Sequence, residues 1–255
     1  MAGLGVWGAL EGAHMFHNAR LGLLRYQKAQ QDLFIDARLA EQARRVVASP
    51  ALVASLRRET VMVVSRINAR RSAVGSGVVL RNDRNGMLIL TAKHIVRHRG
   101  PVSIVVSKQH YLPIPATRVV ASPTEDLALV WTGSSDASVV PIRFAHRQLR
   151  THERFIVMGH PGKRSWVATP GLAEEHLAYI FLYCPQCDNG DSGAGVFTTD
   201  GEVAGILVSK VFVDAPAIAT GKRTRVVVFF MEPLERTRGF VNRIRAGRPV
   251  RKPVR

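Results

Sequence analysis

Residues 77–90 read Gly77-Val78-Val79-Leu80-Arg81-Asn82-Asp83-Arg84-Asn85-Gly86-Met87-Leu88-Ile89-Leu90. Two short apolar runs flank a cluster of Asn, Asp and Gly, residues that tolerate the dihedrals of a turn. Neither run has the length of a helix, so the stretch reads as strand, turn, strand. The pattern extends both ways, upstream to Val61-Met62-Val63-Val64 and downstream to Val102-Ser103-Ile104-Val105-Val106 and Leu127-Ala128-Leu129-Val130. Arg99-Gly100-Pro101 and Ser122-Pro123 supply further breaks. It resumes with Phe155 to Met158, Ala178 to Leu182, Val196-Phe197, Val203 to Val208 and Val226 to Phe230. Many short strands spaced by turns predict a mainly β fold of antiparallel barrels or a sandwich, not alternating βαβ units.

The flanks differ. Residues 17–48 are rich in Ala, Leu, Gln and Arg, with Leu33, Ala37, Ala40, Ala43 and Val47 at helical spacing. Ser49-Pro50 is expected to close that helix, because a residue before proline avoids helical dihedrals. A last helix is predicted from Pro233 to about Arg245, stopped by Gly247 and Pro249. The chain thus divides into a helical N-terminal extension (1–59), a β domain (60–231) and a C-terminal helix with a basic tail (232–255).

Composition narrows the class. With 46% hydrophobic and 22% charged residues the 255-residue chain buries a core and is not a disordered polyampholyte. No apolar run reaches the ~20 residues of a membrane-spanning helix. Two cysteines exclude a disulfide scaffold. The formal net charge is +17, and its density peaks in the tail from Arg236 and Arg238 to Arg255. Such a tail suits RNA or another polyanion, whose counterions it displaces; the other reading is a solvated terminus that favours solubility, and both stay open. The first basic residue is Arg20, and Glu11 and His14 interrupt the apolar stretch Leu4 to Phe16, so no secretory signal is expected and an intracellular location is favoured.

Three segments carry chemistry. Leu90-Thr91-Ala92-Lys93-His94 places a histidine after a buried strand. Thr124-Glu125-Asp126-Leu127-Ala128-Leu129 places an aspartate before one. Asn189-Gly190-Asp191-Ser192-Gly193-Ala194 sets a serine among glycines. A serine hydroxyl is a poor nucleophile until an imidazole accepts its proton. A carboxylate must hold that imidazole in the right tautomer, and backbone N–H groups must receive the developing oxyanion. Each segment alone has a structural reading, but together they occur in the order His, Asp, Ser, each at a strand end.

In these motifs the sequence resembles the chymotrypsin-like (trypsin fold) serine peptidases, especially their compact Deg/HtrA-type and viral relatives. Thr91-Ala92-Lys93-His94 is similar to the family's Thr-Ala-Ala-His, Asp126-Leu127-Ala128-Leu129 to Asp-x-Ala-Leu, and Gly190-Asp191-Ser192-Gly193-Ala194 to Gly-Asp-Ser-Gly-Gly. Gly75-Ser76-Gly77-Val78-Val79 and Gly201-Glu202-Val203-Ala204-Gly205-Ile206 also fit. The resemblance spans about residues 60–231 and implies two antiparallel β-barrels with a serine endopeptidase site between them. It gives His94 the role of general base, Asp126 that of orienting carboxylate and Ser192 that of nucleophile. The N–H groups of Gly190 and Ser192 would form the oxyanion hole, with Asp191 beneath their loop. The substrate would be a polypeptide, with no cofactor and no metal. A viral processing peptidase, and a peptidase-fold module that binds RNA or an assembly partner through its Arg-rich surface, are the alternatives.

The sequence departs from the family at Lys93, in place of a small residue, and at Ala194, in place of a glycine. Lys93 is expected to lower the affinity of His94 for a proton. By position Gln186 would lie at the base of the primary specificity pocket, with Cys187 and Leu207, Val208, Ser209 and Lys210 as its walls. Lacking the aspartate of trypsin-like members there, the chain is expected not to favour cleavage after Lys or Arg. Lys210 at the rim would favour an acidic or amide side chain. Only 45 residues follow Lys210, too few for an added PDZ domain, and about 59 precede the domain, so activation through a new N-terminus is not expected. Cys184-Pro185-Gln186-Cys187 has no partner pair for zinc and no βαβ context for redox work, and is expected to hold reduced, structural cysteines. His160-Pro161-Gly162 is expected to mark a turn.

Overall fold

The computed structural model describes residues 48–98, 100–106, 112–164, 166–176, 179–184, 186–216 and 223–247. Six strands, β1 (Thr60–Arg66), β2 (Ser72–Asp83), β3 (Gly86–Ala92), β4 (Val102–Val105), β5 (Ile114–Ala121) and β6 (Leu127–Thr132), close in the order β1-β2-β3-β6-β5-β4. Six more, β7 (Arg154–Gly159), β8 (Val167–His176), β9 (Tyr179–Tyr183), β10 (Gly195–Thr198), β11 (Val203–Pro216) and β12 (Arg223–Pro233), close in the order β10-β11-β12-β9-β8-β7. Among the described residues three α-helices accompany them: α1 (Pro50–Glu59), α2 (Lys93–Val96) and α3 (Leu234–Arg245). The mainly β, two-barrel architecture and the C-terminal helix agree with the sequence reading. Except for Ala48, the helix predicted over 17–48 lies outside the described residues. Val213–Pro216 and Arg223–Val226 group with residues 1–37 in a second compact unit, of which only these strand ends are described. The candidate site lies in the larger unit.

Strand β3 is buried along its whole length because it lies between β2 and β6. Each of its fully buried apolar side chains, Ile89 and Leu90 among them, contributes about 1.5–3 kcal/mol. One apolar cluster fills the first barrel and reaches Ile156, Phe197 and Ile206; the other fills the second around Phe155, Leu182, Val196 and Leu207. The β2–β3 turn is the one the opening stretch predicts. Asn85 N–H donates to Asp83 Oδ1 at 2.8 Å, and Gly86 has φ 101° where a Cβ would strike the carbonyl of Thr132.

Ser49-Pro50 opens a helix that the sequence reading did not predict, and the helix it was expected to close lies outside the described residues. Ser49 is extended, its Oγ accepts the N–H of Leu52 at 3.2 Å, and Pro50 begins α1, where the missing N–H costs no bond. The helix seats Leu56 in the first core. Two strands escaped the sequence reading. Most of β5 is exposed, and β8 holds Pro170, Gly171, Glu174 and Glu175, all poor strand formers. Cross-strand pairing sustains β8, with Ile156 opposite Pro170 and Ala173 opposite Leu182. No helix among the described residues is long and apolar enough to cross a membrane.

Candidate active site

The register of β3 against β6 pairs Ala92 with Leu127, so the residues just past those two ends meet. There Lys93 N–H donates to the carbonyl of Asp126 at 3.1 Å. His94 N–H donates to Asp126 Oδ1 at 2.9 Å, and His94 Nδ1 lies 2.6 Å from Asp126 Oδ2. The carboxylate spends both oxygens on one residue, fixing both the main chain and the ring of His94. With the Nδ1 proton directed at Asp126, Nε2 keeps its lone pair.

The loop that carries Asp126 is braced from several sides. Lys93 Nζ donates to Ser122 O at 3.0 Å, so its ammonium ties the histidine helix to the aspartate loop. Glu125 accepts from Ser122 Oγ, from Thr124 Oγ1 at 2.8 Å and from Arg243 Nη2 of α3 at 3.0 Å. Burial draws its carboxyl upward, but these hydrogen bonds outweigh it and hold the group below the usual range. Asp126 N–H donates to Glu232 Oε1 of β12 at 3.1 Å. Burial raises the Glu232 carboxyl above its ordinary range. Sequence reasoning passed over Glu232 and Arg243, since nothing in their local pattern separates them from surface charges.

Ser192 arrives from the second barrel. Gly193, at φ 87°, donates its N–H to Leu207 O at 2.7 Å, and a Cβ there would strike Ser76 O, Thr91 Oγ1 and Ala92 N. Ser192 O accepts the N–H of Ser76 at 2.8 Å. These contacts set the serine peptide against the strand ends that lead into His94. Among the described residues, Ser192 Oγ and the N–H groups of Gly190 and Ser192 make no hydrogen bond. Asp191 lies fully buried beneath the turn, with Oδ2 accepting from Asp188 N–H at 3.0 Å and Oδ1 over Gly159, where a Cβ would collide with it. Burial pushes its carboxyl up to about 7.

The other predicted residues surround this turn. Leu207, Val208 and Cys187 are buried, Lys210 is half-buried, and Gln186 and Ser209 are exposed. Lys210 Nζ pairs with Asp188 Oδ1 at 3.0 Å. The expectation of reduced cysteines is overturned: Cys184 and Cys187 form a disulfide. A turn in which Cys187 N–H donates to Cys184 O at 3.0 Å sets their Cα atoms 5.3 Å apart, within bridging range. His160 stands at the expected turn, before the short 3₁₀ segment Pro161–Lys163, but its ring is fully buried. Its Nδ1 lies 2.8 Å from Ser76 Oγ. Among the described residues no cluster of His, Cys, Asp and Glu is grouped to hold a metal ion.

Known proteins share this framework. Two serine proteases of Mycobacterium tuberculosis, Rv3671c (strain H37Rv) and MT3772 (strain CDC 1551), are 24% identical over 156 residues. The match covers 55% of this chain and 37% of each of those proteins, so it spans little more than a third of their length. The crystal structure of the Rv3671c protease in its active form superposes with a TM-score of 0.60 at 20% identity, covering 78% of this chain and 88% of that one. The serine endoprotease from Yersinia pestis superposes with a TM-score of 0.57 at 24% identity, covering 80% of this chain and 70% of that one. At such identities these structures speak for the fold. The trypsin-like peptidase domain matches residues 75–206, a span that includes His94, Asp126 and Ser192, and the chain belongs to that family.

Proposed function

We propose that the protein is a serine endopeptidase that cleaves polypeptides through an acyl-enzyme. Ser192 Oγ attacks the scissile carbonyl while His94 Nε2 takes its proton. Asp126 holds the Nδ1–H tautomer and stabilises the imidazolium that forms. The N–H groups of Gly190 and Ser192 receive the oxyanion. His94 then returns the proton to the leaving amine, and water repeats the sequence to release the acyl group. The observation that carries this reading is the two-point grip of Asp126 on His94, at 2.9 and 2.6 Å. A carboxylate that only capped the α2 turn would not need the ring nitrogen as well.

The reading extends to specificity. Gln186, which stands where the family's trypsin-like members carry an aspartate, is exposed and uncharged, so cleavage after Lys or Arg is not expected to be favoured. Lys210 is already paired with Asp188, which lessens its pull on an acidic substrate residue. Degradation of fluorescein-labelled casein tests the activity. It is expected from the wild-type chain and lost in Ser192→Ala and His94→Gln. Equal rates in all three would refute the assignment.

A further inference from the structure

The oxyanion turn is held from outside by a side chain that lies in none of the three segments carrying His94, Asp126 and Ser192. Ser76 sits in β2 of the first barrel with no exposed surface. Its N–H donates to Ser192 O at 2.8 Å, and its hydroxyl donates to Gly190 O at 2.8 Å. It therefore binds the carbonyls of both residues whose N–H groups would form the hole. The remaining carbonyls of the turn are bound as well. Asn189 O accepts from Gly162 N–H at 2.8 Å, and Asp191 O from Ala194 N–H at 2.8 Å. Among the described residues every peptide is trans, so binding the carbonyls of Asn189 and Asp191 turns the N–H groups of Gly190 and Ser192 the opposite way. Ser76 ties this array to the barrel that carries His94.

The hydroxyl has one proton, and a carbonyl only accepts, so that proton belongs to the bond with Gly190 O. The 2.8 Å contact between Ser76 Oγ and His160 Nδ1 then requires a proton on Nδ1. The His160 ring is set by Trp166, which meets it edge-on at 4.7 Å between centroids. Burial lowers the imidazole to about 4, so near neutral pH it is uncharged with its single proton on Nδ1.

We infer that Ser76, held by the Nδ1–H of His160, is a positioning residue that keeps the Gly190–Ser192 turn in its oxyanion-binding orientation. This inference rests on the serine endopeptidase reading above. It deepens that reading by naming what aligns the hole. Neither residue touches substrate; both act through the carbonyl of Gly190.

The test is the rate at which a fluorophosphonate probe phosphonylates the full chain, with casein turnover alongside. In that reaction Ser192 Oγ bonds to phosphorus, fluoride leaves and the phosphoryl oxygen enters the hole. Ser76→Ala is expected to slow labelling by roughly 10–100-fold, the scale of a displaced oxyanion donor. The kcat for casein should fall in step, and KM should change by less than about 3-fold, because uniform binding is untouched. His160→Leu should behave like Ser76→Ala, whereas His160→Asn, whose amide nitrogen can occupy the place of Nδ1, should restore most of the rate. Should Ser76→Ala fail to fold, Ser76→Cys, similar in size with a weaker donor, takes its place with an intermediate rate expected. A wild-type labelling rate in the folded Ser76 variant, or His160→Asn as slow as His160→Leu, overturns the inference. Labelling that persists in Ser192→Ala overturns the endopeptidase reading instead, so the two failures are distinct.

Discussion

Acid should loosen this fold through one ring. His160 is fully buried, and desolvation lowers it from 6.5 to about 4. In the unfolded chain the imidazole takes up its proton near pH 6.5; in the folded chain it does so only near pH 4. Between those values the unfolded state binds more protons, so the free energy of unfolding falls as pH falls. The stabilisation is complete above the upper value and is lost by the lower one. At ~1.4 kcal/mol for each pH unit, the loss across the window is about 3 kcal/mol, against a total of ~5–15 kcal/mol for an ordinary domain. Asp191 works in the opposite sense. Burial raises it from 3.8 to about 7, so its contribution is complete in acid and fades as pH rises through neutrality. A single pH scan of the wild type mixes the two, whereas a comparison with His160→Asn isolates the ring. Urea unfolding of both proteins from about pH 4 to 7, followed by circular dichroism, should show the wild-type advantage shrinking by ~2–3 kcal/mol toward acid. An advantage that stays constant with pH would refute the reasoning.

Three further perturbations test the frame of the site. Gly193→Ala puts a side chain at φ 87° against Ser76 O, Thr91 Oγ1 and Ala92 N. It should cost about 1–3 kcal/mol from backbone strain alone, read as a lower melting temperature, together with at least ~100-fold in casein turnover. Asp126→Asn keeps the shape but frees the ring from the tautomer that the carboxylate imposes; kcat should drop by roughly 10⁴ with near-native stability. Cys184→Ser opens the disulfide of a very short loop and should remove about 2 kcal/mol in chemical unfolding. The remaining thiol should react with iodoacetamide where the wild type does not.

The fold was legible where pattern and burial agree. The alternation of short apolar runs and turn residues from Val61 to Val130 reflects strands that each bury a face in a barrel, and β1 to β4 and β6 follow it. β8 was not legible, because Pro170 and the glutamates 174–175 argue against a strand and only the pairing with β7 and β9 overrides them. Helix α1 was not legible at Ser49-Pro50 either, since a proline read as a stop for the segment before it also suits the first turn of a helix after it. At the site, His94 and Asp126 were legible because their motifs sit at strand ends that the register joins. The partners of those residues were not. Ser76 lay in view within Gly75-Ser76-Gly77, yet its bonds to residues 160, 190 and 192 depend on how two barrels meet, which no local spacing encodes. Glu232 reaches Asp126 across 106 positions of chain for the same reason. The disulfide was misjudged because its closure depends on turn geometry, and composition carries no record of that.

The most direct measurement identifies the atom that reacts. The purified chain is treated with a fluorophosphonate, digested, and the adduct located by tandem mass spectrometry. A single phosphonyl group on Ser192, absent after His94→Gln or prior unfolding, is the result expected of an imidazole-activated serine. An adduct on another residue, or none on a chain whose circular dichroism is that of a folded β protein, would contradict the account.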